Sequence, residues 1–475
     1  MTDLVLESAS SQLEFLRTGK LSVVELGEAH IRQIERLNPQ LNALIDFDPD
    51  RVRKQALVLD NASGQRGPLH GLPVTVKSSI AVSSYRCEIG SRLNAGDRPQ
   101  EDAEAVKRLR NAGALILGTT NCPEFLMAYE TANLLHGCTS NPWALDRSPG
   151  GSSGGEAAAI AAGLSAAGLG SDSGGSVRQP AHATGICALK PTPGRIPARG
   201  HLPPCAGPFS VLGAIGPMAR TMADISLLFQ TLSGQDSLEA GSPPIAPQAT
   251  SALRRQTIGF FEDDGLTPVT QETRAAVQSA AQALQDAGFR VEPFRPRSLE
   301  LLRQLWWKLF IQCGAMLYEP AIRGRREELS PIFQEFLGIA ESVPPLTASQ
   351  LLDCWVDLDL QRARMLAEMA EHPILLCPVS SIPAFRHGER SWLVGNQTVE
   401  YLDAMRFTQW FNVLGAPAAV VPVSRSAEGL PVGVQIVAQP FHDETAIAVA
   451  AIVDHSFGYQ PPPMAQETGN QRPSN

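Results

Sequence analysis

Residues 150–178 read GGSSGGEAAAIAAGLSAAGLGSDSGGSVR. Two Gly/Ser clusters, Gly150-Gly151-Ser152-Ser153-Gly154-Gly155 and Gly174-Gly175-Ser176, flank a segment of small residues, 156–168. Its alanine content predicts one tightly packed helix, because alanine is the strongest helix former and small side chains at that density imply burial. Glycine is used where backbone takes positive φ or approaches another group closely, so glycine massed around hydroxyls predicts backbone N–H groups aimed at a ligand. A flexible Gly/Ser linker does not fit, since the helix would hold the two turns in fixed relation.

Upstream, residues 68–77 read PLHGLPVTVK, a turn and a buried β-branched strand that ends on Lys77. A lysine at a strand end on its own reads as a snorkelling side chain; the serine clusters change its weight. Residues 8–17 and 22–37 carry apolar positions at helical spacing, with Ser22 and Glu25 as a capping box. A short strand at 42–47 and a helix at 52–62 follow. A helix at 101–112 and a strand at 114–120 give the βα alternation of a sheet covered by helices, hence an α/β fold. A strand at 187–192 and a helix at 219–232 come after the central stretch, then a Gly/Ser/Pro/Ala linker at 234–251. The second half reads strand 257–261, helix 270–287, strand 289–294, a helical block at 298–372, strands 374–378, 418–423 and 432–437, and a helix at 443–457. Residues 461–475, rich in Pro, Gln and Asn, read as a disordered tail.

The 475 residues are 43% hydrophobic and 18% charged, enough for a large core, and the formal net charge of -9 argues against an electrostatic nucleic-acid or anionic-membrane binder. The expected partner is a small molecule. Eight scattered cysteines without a C-x-x-C pair read as reduced thiols, and no signal peptide or apolar run of membrane-spanning length is visible, so a cytoplasmic location is expected.

Several chemistries compete for the central stretch. Gly150-Gly151-Ser152-Ser153-Gly154 matches a nucleophile elbow in letters, but residues 145–149, LDRSP, form no preceding strand. No Gly-Lys-Ser or Gly-Lys-Thr marks a phosphate loop, and no C-x-x-C pair marks a zinc site, so no cofactor and no metal are implied. A serine nucleophile activated by a neutral lysine remains. Lys77 at a dry strand end meets that need, with Ser176 on its glycine turn as the attacking group and surrounding N–H groups as an oxyanion hole.

Residues 150–195 resemble the signature sequence of the amidase signature family. The likeness extends to Gly71-Leu72-Pro73-Val74-Thr75-Val76-Lys77, Thr120-Asn121 with Glu124-Phe125, Asn141-Pro142-Trp143, GPMART at 216–221 and GLPVGVQ at 429–435, spanning about residues 52–457. The resemblance implies one α/β/α domain around a large mixed sheet, with the 298–372 helices as an embellishment, and a homodimer. It implies a Ser-cisSer-Lys triad: Ser176 the acylated nucleophile, Ser152 the bridging serine after a cis bond from Gly151, and Lys77 the base. It places the oxyanion hole at the N–H groups of Ser173, Gly174, Gly175 and Ser176. Ser153 is expected to support the site by hydrogen bonding, Asp172 and Arg178 to hold the turn as a structural ion pair, and Leu126 and Met127 to wall the substrate pocket.

Amide, ester and carbamate cleavage all suit this chemistry. The family also includes the glutamine-hydrolysing component of the tRNA amidotransferase, which carries an aspartate two residues before a Phe-Thr pair; here that position is Met405, ahead of Phe407-Thr408. The expected activity is therefore a stand-alone amidase acting on aryl or fatty amides, with the amidotransferase role as the alternative. Trp306, Trp307 and Phe310 are expected to form an apolar lid.

Overall fold

A computed structural model describes residues 2–248, 250 and 253–466. Eleven strands form one mixed sheet: β1 (Leu44–Phe47), β2 (Pro73–Lys77), β3 (Leu115–Thr120), β4 (Ala167–Asp172), β5 (Cys187–Lys190), β6 (Ala214–Ala219), β7 (Thr257–Phe260), β8 (Arg290–Pro293), β9 (Ile374–Pro378), β10 (Ala418–Arg425) and β11 (Pro431–Ala438). Their spatial order is β1-β3-β2-β4-β6-β5-β10-β11-β9-β7-β8. β2 runs parallel to both β3 and β4, while β4 pairs antiparallel with β6.

The central strands are buried along their whole length, as expected of a sheet covered on both faces. Val74, Val76, Leu169 and Val434 face one apolar core that also takes Ile225 and Val449 from the helices Met222–Leu232 and Asp443–Phe457. Ala188, Met218 and Val420 face the other side, against Ala157 and Ile160 of the helix Gly154–Ala161 and Ala181 of Arg178–Thr184.

The single helix expected over 156–168 is shorter. It ends at Ala161, Gly163 turns the chain at φ +74°, and residues from Ala167 onward are the strand β4. The glycines there let the helix Gly154–Ala161 and its N-cap pack closely on β4: a Cβ on Gly168 would overlap the Glu156 carboxylate, and one on Gly170 would lie 2.7 Å from Ser153 Oγ. The capping box is present, Ser22 accepting from Glu25 N–H and Glu25 reaching back to Ser22 N–H.

The 298–372 block is helical over most of its length. Leu299–Trp306 continues through a π-helical turn, Trp307–Gln312, into Cys313–Ile322, and is followed by Pro331–Glu341 and Ala348–Glu368. It builds a second core with Trp306, Leu309, Phe333 and Trp410. A hairpin of Ser391–Val394 and Gln397–Glu400 has no counterpart in the sequence reading. The expected disorder of 461–475 is corrected at Pro463–Gln466, which form a helical turn with Ala465 buried and its carbonyl accepting from Arg36; residues 467–475 lie outside the described residues.

Candidate active site

Lys77 is the last residue of β2, and its parallel neighbour β4 ends at Asp172, so both ends open at one edge of the sheet. Crevices at the carboxyl ends of strands are where open α/β sheets bind ligands. Lys77 is fully buried and donates from Nζ to Ser152 Oγ at 2.6 Å and to Ser171 Oγ at 3.2 Å. Burial lowers its pKa to about 8, against the opposing pull of Cys122, Asp172 and Glu156.

Ser152 follows a cis peptide bond from Gly151. A Cβ on Gly151 would lie 2.5 Å from Glu130 N and 2.7 Å from Ala128 O, so only glycine fits against that segment. Ser153 Oγ donates to the Ser171 carbonyl and accepts from the Ser171 N–H, both at 3.3 Å, while the Ser153 N–H donates to Ser176 O at 3.0 Å. These bonds tie the first Gly/Ser cluster to β4 and to the second.

Asp172 organises the second turn. Its carboxylate accepts from the N–H groups of Gly175 at 2.7 Å and Val177 at 3.1 Å, from Arg178 Nε at 3.0 Å and from Asn412 Nδ2 at 2.9 Å. Burial works to raise its pKa, but the Arg178 guanidinium, Lys190 and Asn412 outweigh it and hold the carboxyl well below the usual range. Arg178, equally buried, also donates to Gln435 Oε1 and Asn412 Oδ1.

The turn's carbonyls are pinned outward. Trp306 Nε1 donates to Ser173 O at 3.0 Å, and Gly174 O accepts from Tyr129 Oη at 2.8 Å and Thr408 Oγ1 at 2.7 Å. Ser173, Gly174 and Ser176 have N–H groups with no partner within the described residues. The expectation for Gly175 is corrected, because its N–H is committed to Asp172. That leaves three of the four expected N–H groups without a partner among the described residues.

Lys77 and Ser152 are buried, whereas Ser173 and Ser176 are partly exposed. Ser176 lines two adjoining cavities. One also takes in Ser152, Ser171, Ser173, His201 and Tyr318. The other, the outer cavity, is lined by Tyr129, Trp306, Phe310 and Phe336. Leu126 and Met127 line both. Trp306 and Phe310 stack at 4.8 Å, so the expected apolar lid is a wall of the cavity; Trp307 packs on the second core instead.

Sequence reasoning missed Tyr129, Thr408, Asn412 and Gln435 as holders of the turn, and His201 beside Ser152. Burial lowers the His201 pKa to about 4, so its imidazole stands neutral next to Lys77. No local signal marks these residues, since each makes its telling contact with a partner more than 40 residues distant.

Residues 25–447 match the amidase family. The chain belongs to the amidase signature family. This amidase is 30% identical over 465 residues to an indoleacetamide hydrolase of Bradyrhizobium diazoefficiens, covering 95% of the chain and 86% of that relative. It is 33% identical over 477 residues to a glutamyl-tRNA(Gln) amidotransferase component of Chloroflexus aurantiacus, covering 94% of the chain and 96% of that relative. The solved structure of 6-aminohexanoate cyclic dimer hydrolase complexed with substrate is similar at a TM-score of 0.84 and 28% identity, over 97% of this amidase and 99% of that chain. The amidase is an amide-hydrolysing enzyme with a mixed central sheet, and no helix among the described residues is long and apolar enough to cross a membrane.

Proposed function

We propose that this amidase works alone, cleaving the carbon–nitrogen bond of non-peptide amides with an apolar or aromatic acyl part, and related esters and carbamates. The reading rests on the 2.6 Å contact of a buried lysine, Lys77, with Ser152, beneath a Ser176 that opens on an apolar cavity.

In the reaction, neutral Lys77 takes the Ser152 proton as Ser152 takes that of Ser176. Ser176 Oγ then attacks the amide carbonyl carbon. The N–H groups of Ser173, Gly174 and Ser176 stabilise the negative charge that develops on the carbonyl oxygen. The proton returns through Ser152 to the amine nitrogen, the carbon–nitrogen bond breaks, and the acyl group stays on Ser176. Water, activated by the same relay, releases the acid.

The alternative, glutamine hydrolysis for a tRNA amidotransferase, draws support from the Chloroflexus relative. Glutamine carries an ammonium and a carboxylate that a site must hold. Glu335 and Arg390 are the charged side chains lining the outer cavity, and they pair with each other at 2.8 Å, Arg390 also with Glu130 at 3.0 Å. Met405 is buried and apolar. These features favour an apolar substrate.

The test is hydrolysis of an anilide, a long-chain primary amide, an aryl carbamate and glutamine by the purified chain and by Ser176→Ala. Turnover of any of the first three, lost in the variant, is expected; turnover of glutamine alone, or none without partner proteins, would overturn the reading.

A further inference from the structure

About the loop that packs on Gly151, three side chains converge: Glu130 and Cys138 from that loop, and His387 from a distant part of the chain. Cys138 Sγ lies 3.2 Å from His387 Nδ1, and His387 Nδ1 lies 3.9 Å from Glu130 Oε1. All three ligand atoms fall within 4.8 Å of one another. A tetrahedral zinc ion with ordinary Zn–S, Zn–N and Zn–O bonds separates its ligands by about 3.3–3.6 Å, which small side-chain rotations reach from here.

The surroundings fit a metal as well. His387 Nε2 faces the Leu145 carbonyl at 3.3 Å; an N–H donated there fixes the tautomer and leaves the Nδ1 lone pair aimed at Cys138. Glu130 Oε1 accepts from Gly388 N–H at 3.1 Å and Oε2 from Arg390 at 3.0 Å, so the carboxylate is orientated from behind while Oε1 keeps a second lone pair. Metal-bound imidazoles and carboxylates are held in this way by their outer partners. Cys138 is at the surface, which gives an entry path and room for water in a fourth position.

We propose that Glu130, Cys138 and His387 form a binding site for a borderline-soft divalent cation, zinc above all, separate from the cavities at Ser176. Sulfur and imidazole nitrogen select zinc over magnesium or calcium, which take oxygen ligands. On binding, the Cys138 thiol releases its proton to solvent and the sulfur takes the metal. The ion would join the 130–138 loop, whose Glu130 backbone abuts Gly151, to the 386–390 loop, whose Arg390 lines the outer cavity. His387 lies 249 residues from Cys138, so no short motif carries all three ligands.

The experiment is titration of the full metal-free chain with Co²⁺, followed by Zn²⁺ competition. One equivalent of Co²⁺ is expected to give the visible absorption of a tetrahedral site with a thiolate-to-cobalt charge-transfer band, which Zn²⁺ abolishes. Cys138→Ser, a near-isosteric change at the surface, removes the charge-transfer band, and His387→Ala weakens binding at least tenfold, each with unchanged circular dichroism. Absence of that band in the wild-type chain, its persistence in Cys138→Ser, or an affinity indifferent to His387→Ala would overturn the site.

Discussion

Asp172 and Arg178 form an ion pair sealed from water, with Arg178 Nε 3.0 Å from Asp172 Oδ2 and neither side chain exposed. Removing one partner leaves a buried charge unpaired. Arg178→Met is therefore expected to cost about 3–5 kcal/mol, and the double variant Asp172→Asn/Arg178→Met to recover part of that loss. Urea unfolding midpoints of the three proteins measure both effects, and a double variant no more stable than the single one counts against the pair as described.

Lys77 is expected to set a pH dependence of activity. With a folded pKa of about 8, the neutral base grows as pH rises through that value, and kcat/KM is expected to rise with it. Stability moves in the same direction. From about 8 up to the ordinary value of 10.5 the unfolded lysine holds a proton that the folded one lacks, so raising pH through that window stabilises the fold. Lys77→Met is expected to lower kcat/KM by about 10²–10⁴ and flatten the profile. A retained inflection near pH 8 would assign the titration to another group.

Glu156 titrates with the opposite sign. It is buried behind Lys77, accepts from the hydroxyls of Thr75 and Thr120, and burial raises its pKa to about 8 against those bonds and the Lys77 charge. Between 4.5 and about 8 the folded carboxyl keeps a proton that the unfolded one loses, so its contribution to stability falls as pH rises. Glu156→Gln is expected to flatten that component. Thermal unfolding of both proteins across about pH 5 to 8 measures it.

The outer cavity is expected to set the choice of substrate. Ile339 lines it and is half-buried, so Ile339→Trp narrows the space without touching the reacting groups. The expected result is a loss of about tenfold or more in kcat/KM for an anilide with a bulky acyl group, and little change for acetamide. Equal losses on both substrates would place the acyl part elsewhere.

Much of this was legible in the sequence because the candidate site is built from short contiguous segments. The Gly/Ser clusters, the strand ending on Lys77 and the capping box at Ser22 all state their geometry locally. The over-long helix at 156–168 shows the limit: alanine and glycine satisfy helix and buried strand alike, and the choice was made by Gly163 and by the space that Glu156 occupies against Gly168. Tyr129, Thr408 and Asn412 were silent because their roles are contacts to the turn from 45, 234 and 240 residues away. The commitment of Gly175 N–H to Asp172 could not be read from letters at all, since it depends on which way one peptide faces.

The wall of Trp306, Phe310 and Phe336 belongs to the helices of the second half, whereas Lys77 ends β2, Ser152 precedes the helix Gly154–Ala161 and Ser176 lies in the turn after β4. On the proposed function, most of what admits a molecule is then written in helices apart from the segments that act on its bond, with Leu126, Met127 and Tyr129 of the first half completing the wall. Those helix faces can be rewritten with Ser176 and its neighbours left in place.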